Sequence, residues 1–144
     1  METATMGKVI VSAKIENDAD LVAVGAGRLR PDEVRSVEVA DALIDTGATN
    51  LSLPRRLIEQ LGLQKRRTRN AKTPASMVEF GIYSPVQLTV QGRQCALEVA
   101  EVPDICPVLI GQVPLEMLDW VVDPKRQRLI GNPDHGGEQM MEMF

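Results

Sequence analysis

One acidic residue of this chain stands in a setting that suits catalysis. Asp45 follows the apolar residues 42–44 and precedes Thr46, Gly47 and Ala48. This order predicts a carboxylate at the end of a buried strand, with a glycine that permits a tight turn and a close approach of other backbone. Asp, Thr and Gly are also common turn residues, so an ordinary turn at a strand end would have the same composition.

A second segment of similar character lies downstream. Leu109 and Ile110 again place two aliphatic residues before a glycine, and that glycine, Gly111, stands 66 positions after Asp45. Between the two segments, the basic stretch 65–72 runs into a polar stretch that contains a proline. These residues predict an exposed hairpin tip.

In the order of its parts the chain resembles the retropepsin-like aspartic peptidases, the family of the retroviral proteases and their single-domain cellular and bacterial relatives. The resemblance runs over residues 36–130. It rests on a catalytic motif at 45–48, a hairpin over 69–80 where the family has its flap, a second hairpin over 86–99, and a second signature at 109–111. The resemblance implies a mostly β fold: a closed barrel of short strands with one or two short helices and an active site at a two-fold dimer axis.

The chemistry of carboxylates independently leads to the same dimer. Peptide hydrolysis by carboxylates needs two of them close together, so that repulsion keeps one protonated while the other takes a proton from water. The Asp-Thr-Gly triplet occurs once, and none of the other aspartates that we considered has a comparable setting: Asp104, Asp119, Asp123 and Asp134. We therefore expect a second copy of the chain to supply the missing carboxylate in a homodimer.

The resemblance also implies roles for individual residues. The catalytic residues would be Asp45, whose two copies act as base and acid on a water without an acyl-enzyme, Thr46, which bonds across the axis, and Gly47, whose carbonyl meets the substrate. The substrate would be an extended peptide or protein segment bound as an added strand. The other substrate contacts are expected from the motif, the flap and an apolar pocket: Ala48, Thr49, Thr73, Pro74, Ala75 and Ile110.

Two departures from the family pattern bear on activity. Retroviral members commonly carry an acid after the motif and an arginine after the second signature, but Thr49 and Gln112 stand here. An ion pair would thus become at best a neutral hydrogen bond, worth about 1 kcal/mol. The glycine-rich flap tip is replaced by residues 71–76, in which Pro74 has no N–H. An alternative function follows: a catalytically weak or inactive binding or dimerisation module with the same fold.

Other chemistries fit the sequence less well. Residues 44–50 also look like the first phosphate loop of sugar kinases, but those enzymes need two large lobes. The basic stretch 65–72 is interpreted as a solvated hairpin face, because no aromatic residue is interleaved with it.

His135 is the only histidine and lies in a Pro- and Gly-rich segment, while Cys95 and Cys106 are expected to be free. We therefore expect no metal, no cofactor and no cysteine-peptidase chemistry.

The composition sets the broad class. With 144 residues the chain is the size of one domain, and 44% hydrophobic content is typical of a foldable globular chain. Its net charge of -4 argues against a nucleic-acid partner. No apolar run reaches the roughly 18–20 residues of a membrane helix, and the N-terminus lacks the features of a signal peptide. We expect a cytoplasmic protein without a membrane partner.

The hydrophobic pattern predicts the elements around these residues. Alternation and short apolar runs predict strands over 8–16, 36–44, 86–90, 95–99, 108–111, 120–122 and 129–130. Short helices are predicted over 54–61, capped by Ser52 and ended by Gly62, and over 114–118. Residues 17–31 indicate a long loop with at most a helical turn around Leu21.

These elements form one predicted domain over residues 1–131, in which residues 17–35 are a loop insertion. Residues 132–144 are predicted to be a flexible C-terminal tail. The apolar end of that tail, 140–144, is interpreted as a frayed terminus, with a peptide that visits the cleft or the dimer seam as the alternative.

Overall fold

The computed structural model of the chain describes residues 9–141. Nine strands are present: β1 (Val9–Asn17), β2 (Ser36–Ile44), β3 (Leu51–Pro54), β4 (Lys65–Lys72), β5 (Met77–Val90), β6 (Arg93–Val102), β7 (Leu109–Ile110), β8 (Trp120–Asp123) and β9 (Arg128–Gly131). Three short helices accompany them: α1 (Asp18–Gly25), α2 (Arg55–Gln60) and α3 (Gln112–Leu118). The prediction of a mostly β chain is confirmed, while three short helices are present among the described residues where one or two were expected. Position 8 of the first predicted strand and residues 142–144 of the predicted tail lie outside the described residues.

Six of the strands form a closed barrel. Their order is β1-β2-β7-β3-β6-β5, and β5 returns to β1 through antiparallel pairing of residues 86–89 with residues 14–17. The strand β4 lies outside this ring, because it pairs with β5 alone. The predicted closed barrel is confirmed, while β8 and β9 form a separate two-stranded sheet.

The barrel closes around an aliphatic core. Val9, Val11, Ala13 and Ile15 of β1 are buried and the residues between them are exposed, because successive side chains of a strand point to opposite faces. Each fully buried aliphatic side chain contributes about 1.5–3 kcal/mol through removal of apolar surface from water. The alternation that predicted these strands therefore also selects the face that fills the barrel.

The long strand β5 serves two partners in succession. Its first part, Met77–Gly81, pairs with β4, and its later part pairs with β6 on one side and β1 on the other. The register with β6 shifts between Tyr83 and Val86, where Pro85 interrupts the strand. Proline has no N–H for a strand ladder and is tolerated at such bulges. As a result, the hairpin of β4 and the start of β5 projects beyond the ring.

The segment after β1 was predicted to be a loop, and this prediction is wrong over Asp18–Gly25. These residues form α1, which is capped by the side chain of Asn17 accepting a hydrogen bond from the backbone N–H of Asp20 at 3.1 Å. The buried Asp20 carboxylate binds the Arg35 guanidinium at 2.9 Å. This ion pair fastens α1 to the start of β2, and its two residues lie 15 positions apart in sequence.

The predicted helix after β3 is present, with one difference at its start. Pro54, and not a capping Ser52, precedes the first helical residue, and Ser52 lies within β3. Gly62 ends the helix as predicted, with a φ of +66° that glycine adopts at little cost.

The described part of the predicted flexible tail is folded against the end of α3, which differs from the prediction. Asn132 Nδ2 donates to Asp119 Oδ1 at 3.1 Å, and Met140 N donates to Asp119 Oδ2 at 3.0 Å. The Arg93 guanidinium lies over the Trp120 ring and donates to the carbonyl of Gly137.

Within residues 9–141, no helix has the length and apolar character needed to cross a membrane.

Candidate active site

Asp45 stands where β2 leaves the barrel. The neighbouring strand β7 runs parallel to β2 and pairs Ile44 with Ile110. The backbone N–H of Asp45 donates to the carbonyl of Ile110 at 2.9 Å, and that of Leu43 donates to the carbonyl of Val108 at 2.8 Å. The ladder therefore holds the backbone up to Asp45 itself, and the carboxylate begins where the core ends.

The loop after Asp45 turns back on the same residue. The carbonyl of Asp45 accepts from the N–H of Ala48, and its Oδ1 accepts from the N–H of Gly47, both at 3.0 Å. Thr46 and Gly47 are exposed, whereas Asp45 and Ala48 are partly buried. The carboxylate is thus oriented by its own turn, and the turn lies on the surface of the protomer.

The second signature supports this loop through a close backbone approach. Gly111 N donates to the carbonyl of Asn50 at 2.9 Å. A Cβ atom on Gly111 would lie 2.6 Å from that oxygen and 2.7 Å from the carbonyl oxygen of Ala48, closer than side chains tolerate. Only glycine fits there without displacing the loop. Residues 109–111, the second signature of the resemblance, thus contact the loop that carries Asp45.

The start of α3 completes the support. Its first N–H groups, those of Gln112 and Val113, donate to the carbonyls of Ala48 at 2.8 Å and Thr49 at 3.0 Å. N–H groups of a first helical turn have no partner inside the helix, so the loop satisfies them. The Gln112 side chain instead donates to Glu116 at 3.3 Å. The two positions at which the sequence suggested a neutral side-chain bond are thus held through neighbours, because Gln112 bonds Ala48 and Thr49 bonds Val113.

The projecting hairpin ends in a tight tip. Thr73 N donates to the carbonyl of Ser76 at 2.8 Å, and the Thr73 hydroxyl donates to the same oxygen at 2.7 Å. Ser76 N donates back to that hydroxyl at 3.0 Å. Pro74 and Ala75 are exposed at the end of the tip. The hydrogen-bonding groups of Thr73 are therefore used within the turn, and Pro74 has no N–H to offer.

A cavity of about 380 Å³ lies between the Asp45 loop and the hairpin. Thr49 and Asn50 line it from the loop, Arg67 and Arg69 from β4, and Phe80 from β5. Its wall also contains Glu98 of β6. This cavity combines charged groups with an aromatic wall, and we call it the charged cavity.

A second cavity, of about 470 Å³, shares Asn50 and Phe80 with the charged cavity. Its other walls include Val78 of the hairpin, Val102 at the end of β6, and Pro103 directly after it. These side chains are apolar, and we call this space the apolar cavity. The two cavities therefore lie on either side of a shared wall, next to the loop that carries Asp45.

The residues predicted to contact substrate fall into three places. Thr49 lines the charged cavity, Ala48 lies in the supported loop, and residues 73–75 form the hairpin tip. Ile110 differs from its expected place in an apolar pocket. It is fully buried in the core, paired with Leu51 and with β2, and it lines neither cavity.

Sequence reasoning missed the residues that line the two cavities most directly. Arg67 and Arg69 lie two apart on β4, and a spacing of two places side chains on the same face of a strand. That signal was present inside the basic stretch that we interpreted as a solvated face, and all of this stretch but Ala71 is indeed exposed. The contributions of Asn50, Val78 and Phe80 depend on how the hairpin returns toward the loop, which has no local sequence signal.

The charges of the charged cavity are only partly balanced. Arg67 and Arg66 both bind Glu98, the latter at 3.2 Å. Partial desolvation raises the pKa of the Glu98 carboxyl, but the hydrogen bonds from Arg67 and Arg66 outweigh it, so the net pKa lies below the usual value. Glu98 is therefore ionised at neutral pH and neutralises charge on these two arginines.

A second carboxylate, Asp119, lies at the opposite end of α3 from this loop and was not singled out by the sequence. It follows α3 with a left-handed φ of +59° and is 6% exposed. His135 Nδ1 lies 2.6 Å from Asp119 Oδ2. The hydrogen bond with His135, and then the N–H of Met140, lowers the pKa of Asp119 against the opposing effect of burial. This pairing gives His135 a structural partner that its position in the chain did not suggest.

The two cysteines are free, as predicted. Burial raises the pKa of the Cys95 thiol to about 11, so the reactive thiolate is disfavoured at neutral pH. Among residues 9–141, no group of three or more His, Cys, Asp or Glu side chains is placed to hold a metal ion.

No protein-family model matches this chain, and no curated protein matches it. The functional argument therefore depends on the residues and on the geometry described above.

Proposed function

We propose that this chain is a retropepsin-like aspartic endopeptidase that acts as a homodimer, with Asp45 from each copy forming one catalytic centre. The observation that carries the proposal is the way Asp45 is held. Its backbone is hydrogen-bonded to Ile110 of β7, and its loop is held by Gly111 and by the first N–H groups of α3. The turn beyond it, Thr46 and Gly47, is exposed and available to a second copy.

The reaction would use two carboxylates and one water. With two Asp45 side chains close together, repulsion keeps a proton on one of them, and that carboxyl polarises the scissile carbonyl while the other accepts a proton from water. The water oxygen bonds to the carbonyl carbon, and the C–N bond then breaks as the nitrogen takes the proton that the base carboxylate accepted from water, so that one proton again remains on the pair. The rigid support of the loop keeps the carboxylates in position, which matters because small displacements cost large factors in rate.

The substrate would be an extended peptide lying between the loop and the hairpin. The charged cavity and the apolar cavity lie side by side in that space, and each is lined by Asn50 of the loop and Phe80 of the hairpin. Backbone hydrogen bonds along an extended peptide give affinity, and side-chain cavities give selectivity.

A second candidate is a binding or dimerisation module of the same fold with weak or no turnover. The hairpin tip favours it, because the N–H and hydroxyl of Thr73 are bonded within the turn and Pro74 has no N–H. A flap tip that has fewer backbone N–H groups to donate would hold a substrate less firmly over Asp45. The two candidates differ in whether peptide bonds are cleaved.

A subunit-mixing experiment tests the proposal. Wild-type protein is incubated with a peptide library at mildly acid and neutral pH, alone and with increasing amounts of Asp45→Asn protein. If each centre needs Asp45 from both copies, a tenfold excess of the variant lowers wild-type cleavage about tenfold, because most wild-type subunits then pair with variant subunits. Analytical ultracentrifugation measures the dimer directly.

The Asp45→Asn variant is a well-matched probe of fold, because its amide oxygen can still accept from Gly47 N. We expect its melting temperature to equal that of the wild type. Cleavage by the variant alone at the wild-type rate would exclude the mechanism. Cleavage by wild type that is insensitive to the variant would exclude the shared centre, and stable dimers without any cleavage would favour the second candidate.

A further inference from the structure

The charged cavity holds one arginine that the protein itself does not neutralise. Arg66 and Arg67 both bind Glu98, whereas the guanidinium of Arg69 makes no hydrogen bond or ion pair with any residue in 9–141. Among the residues that line the cavity, two cations, Arg67 and Arg69, face the single carboxylate of Glu98. Glu98 is already bound by Arg67 and by the neighbouring Arg66, so the charge of Arg69 is left unbalanced in a chain whose net charge is -4.

The neighbours of Arg69 define the chemistry of a ligand. Thr49, Asn50 and Asn70 line the same cavity and supply neutral hydrogen-bonding groups, while Phe80 and Ile82 supply an apolar wall. A guanidinium presents paired N–H donors that match the two oxygens of a carboxylate. The volume, about 380 Å³, lies near the lower end of the roughly 300–1,000 Å³ of ligand pockets, so it suits a side chain or two.

We propose that Arg69 selects peptide substrates that carry an acidic side chain, Glu or Asp, bound in the charged cavity. The methylenes of that side chain contact Phe80 and Ile82, and its carboxylate binds the guanidinium. Because the cavity touches Thr49 and Asn50 and not Asp45, the acidic residue stands some positions away from the scissile bond. The inference rests on the proposed function for the cleavage step, but the binding step can be measured separately.

The test measures binding in the Asp45→Asn background, where no cleavage removes the ligand. Dodecamer peptides selected from a random library on this protein are synthesised as matched pairs that differ only by Glu or Gln. We expect the Glu member to bind about three- to tenfold more tightly in fluorescence anisotropy, the range of a partly exposed charge-assisted pair. Raising the salt concentration should reduce the preference.

Two further substitutions isolate Arg69. Arg69→Gln should abolish the Glu preference, and Arg69→Glu should reverse it toward peptides that carry Lys. Lys65→Gln removes the same charge from the same strand outside the cavity and should keep the preference. Circular dichroism and melting temperature verify that each variant is folded.

The outcomes separate this inference from the proposed function. Equal binding of Glu and Gln peptides, a preference that survives Arg69→Gln, or a library without any binder would overturn the acidic selectivity. Tight, Arg69-dependent binding of acidic peptides that the wild type does not cleave would support the selectivity and refute the peptidase. Cleavage of Glu and Gln peptides at equal rates would overturn the selectivity alone.

Discussion

Two aspartates end structured segments of this chain, and they are held in opposite ways. Asp45 is fixed through its backbone by β7, while its carboxylate accepts one hydrogen bond within residues 9–141, from Gly47 N. The carboxylate of Asp119 is buried and is bonded by three groups of the segment 132–140. The backbone of Asp45 is thus fixed, while its carboxylate can still accept most of its hydrogen bonds. The carboxylate of Asp119 accepts its hydrogen bonds from within the protein.

The difference shows which of the two carboxylates has hydrogen-bonding capacity left for a ligand. An ionised carboxylate can accept about four hydrogen bonds. Asp119 uses three of these sites to fasten the C-terminal segment to the end of α3, so it has little left for a substrate. Asp45 keeps most of its sites at a surface loop, which suits water, substrate or a second copy of the chain.

The largest expected effect comes from breaking the support of Asp45. In Gly111→Ala the new methyl would lie 2.6 Å from the carbonyl oxygen of Asn50, so the loop must shift. We expect a loss of stability of about 1–3 kcal/mol in chemical denaturation. Displacement of Asp45 should lower any peptidase activity about 100-fold.

Gly25→Ala is the matched control for that substitution, because a Cβ atom at Gly25 would meet nothing within 4 Å. It should change stability by less than about 0.5 kcal/mol and leave activity unchanged. If Gly111→Ala behaved like Gly25→Ala, the loop would not depend on the close backbone approach.

A smaller effect is expected at the structural aspartate. Asp119→Asn places an amide N–H2 against groups that donate hydrogen bonds, among them Met140 N and Asn132 Nδ2. We expect the melting temperature to fall by several degrees and limited proteolysis to cut the segment after Gly131 more readily. Asp134→Asn, at an exposed position of the same segment, should match the wild type. A loss of catalysis in Asp119→Asn without loss of stability would contradict the structural assignment.

The smallest expected effect is the pH dependence of the stability difference between wild type and Asp119→Asn. The pKa of Asp119 is lowered in the folded state, chiefly by the hydrogen bond with His135. Its carboxylate therefore contributes stability in full above the ordinary value of 3.8 and loses it as the pH falls through the lower folded-state value. The difference in unfolding free energy between wild type and Asp119→Asn should shrink below about pH 4. Asp20 and Glu98 also have lowered pKa values, so they too lose stability at low pH. Their contribution is the same in both proteins and cancels when the unfolding free energy of the variant is subtracted from that of the wild type. A difference that widened as the pH fell would refute this account.

Much of the fold could be predicted from local pattern. The strand Ser36–Ile44 has the predicted bounds, and the hairpin that turns at Gly92 is present, because burial on one face imposes a period of two. The helix Asp18–Gly25 was missed although Asn17 and two acids of its first turn are typical of a helix start. Its Asp and Gly residues also suit loops, and the ion pair of Asp20 with Arg35 that fastens it is a tertiary contact.

The candidate site was predictable only in its centre. The apolar run before Asp45 and the glycine at 111 carry strong local constraints, and the structure brings both together. The cavities depend on long-range register, such as the pairing of Arg69 with Phe80 across the hairpin, for which one sequence contains no signal. The contact of Asp119 with His135 is of the same kind, because it joins residues 16 positions apart across the hairpin of β8 and β9.

The projecting hairpin has a consequence for how the protein can diversify. Among the described residues, Met77–Gly81 of β5 pair with β4 alone, so the ring loses no ladder hydrogen bond if this arm is exchanged. A graft of a different hairpin at this position should therefore keep the strand pairing of the barrel, and its cost falls on side-chain contacts such as the bonds of Arg66 and Arg67 to Glu98 of β6. The arm is in this sense an interchangeable module, because its exchange leaves the backbone support of Asp45 in place.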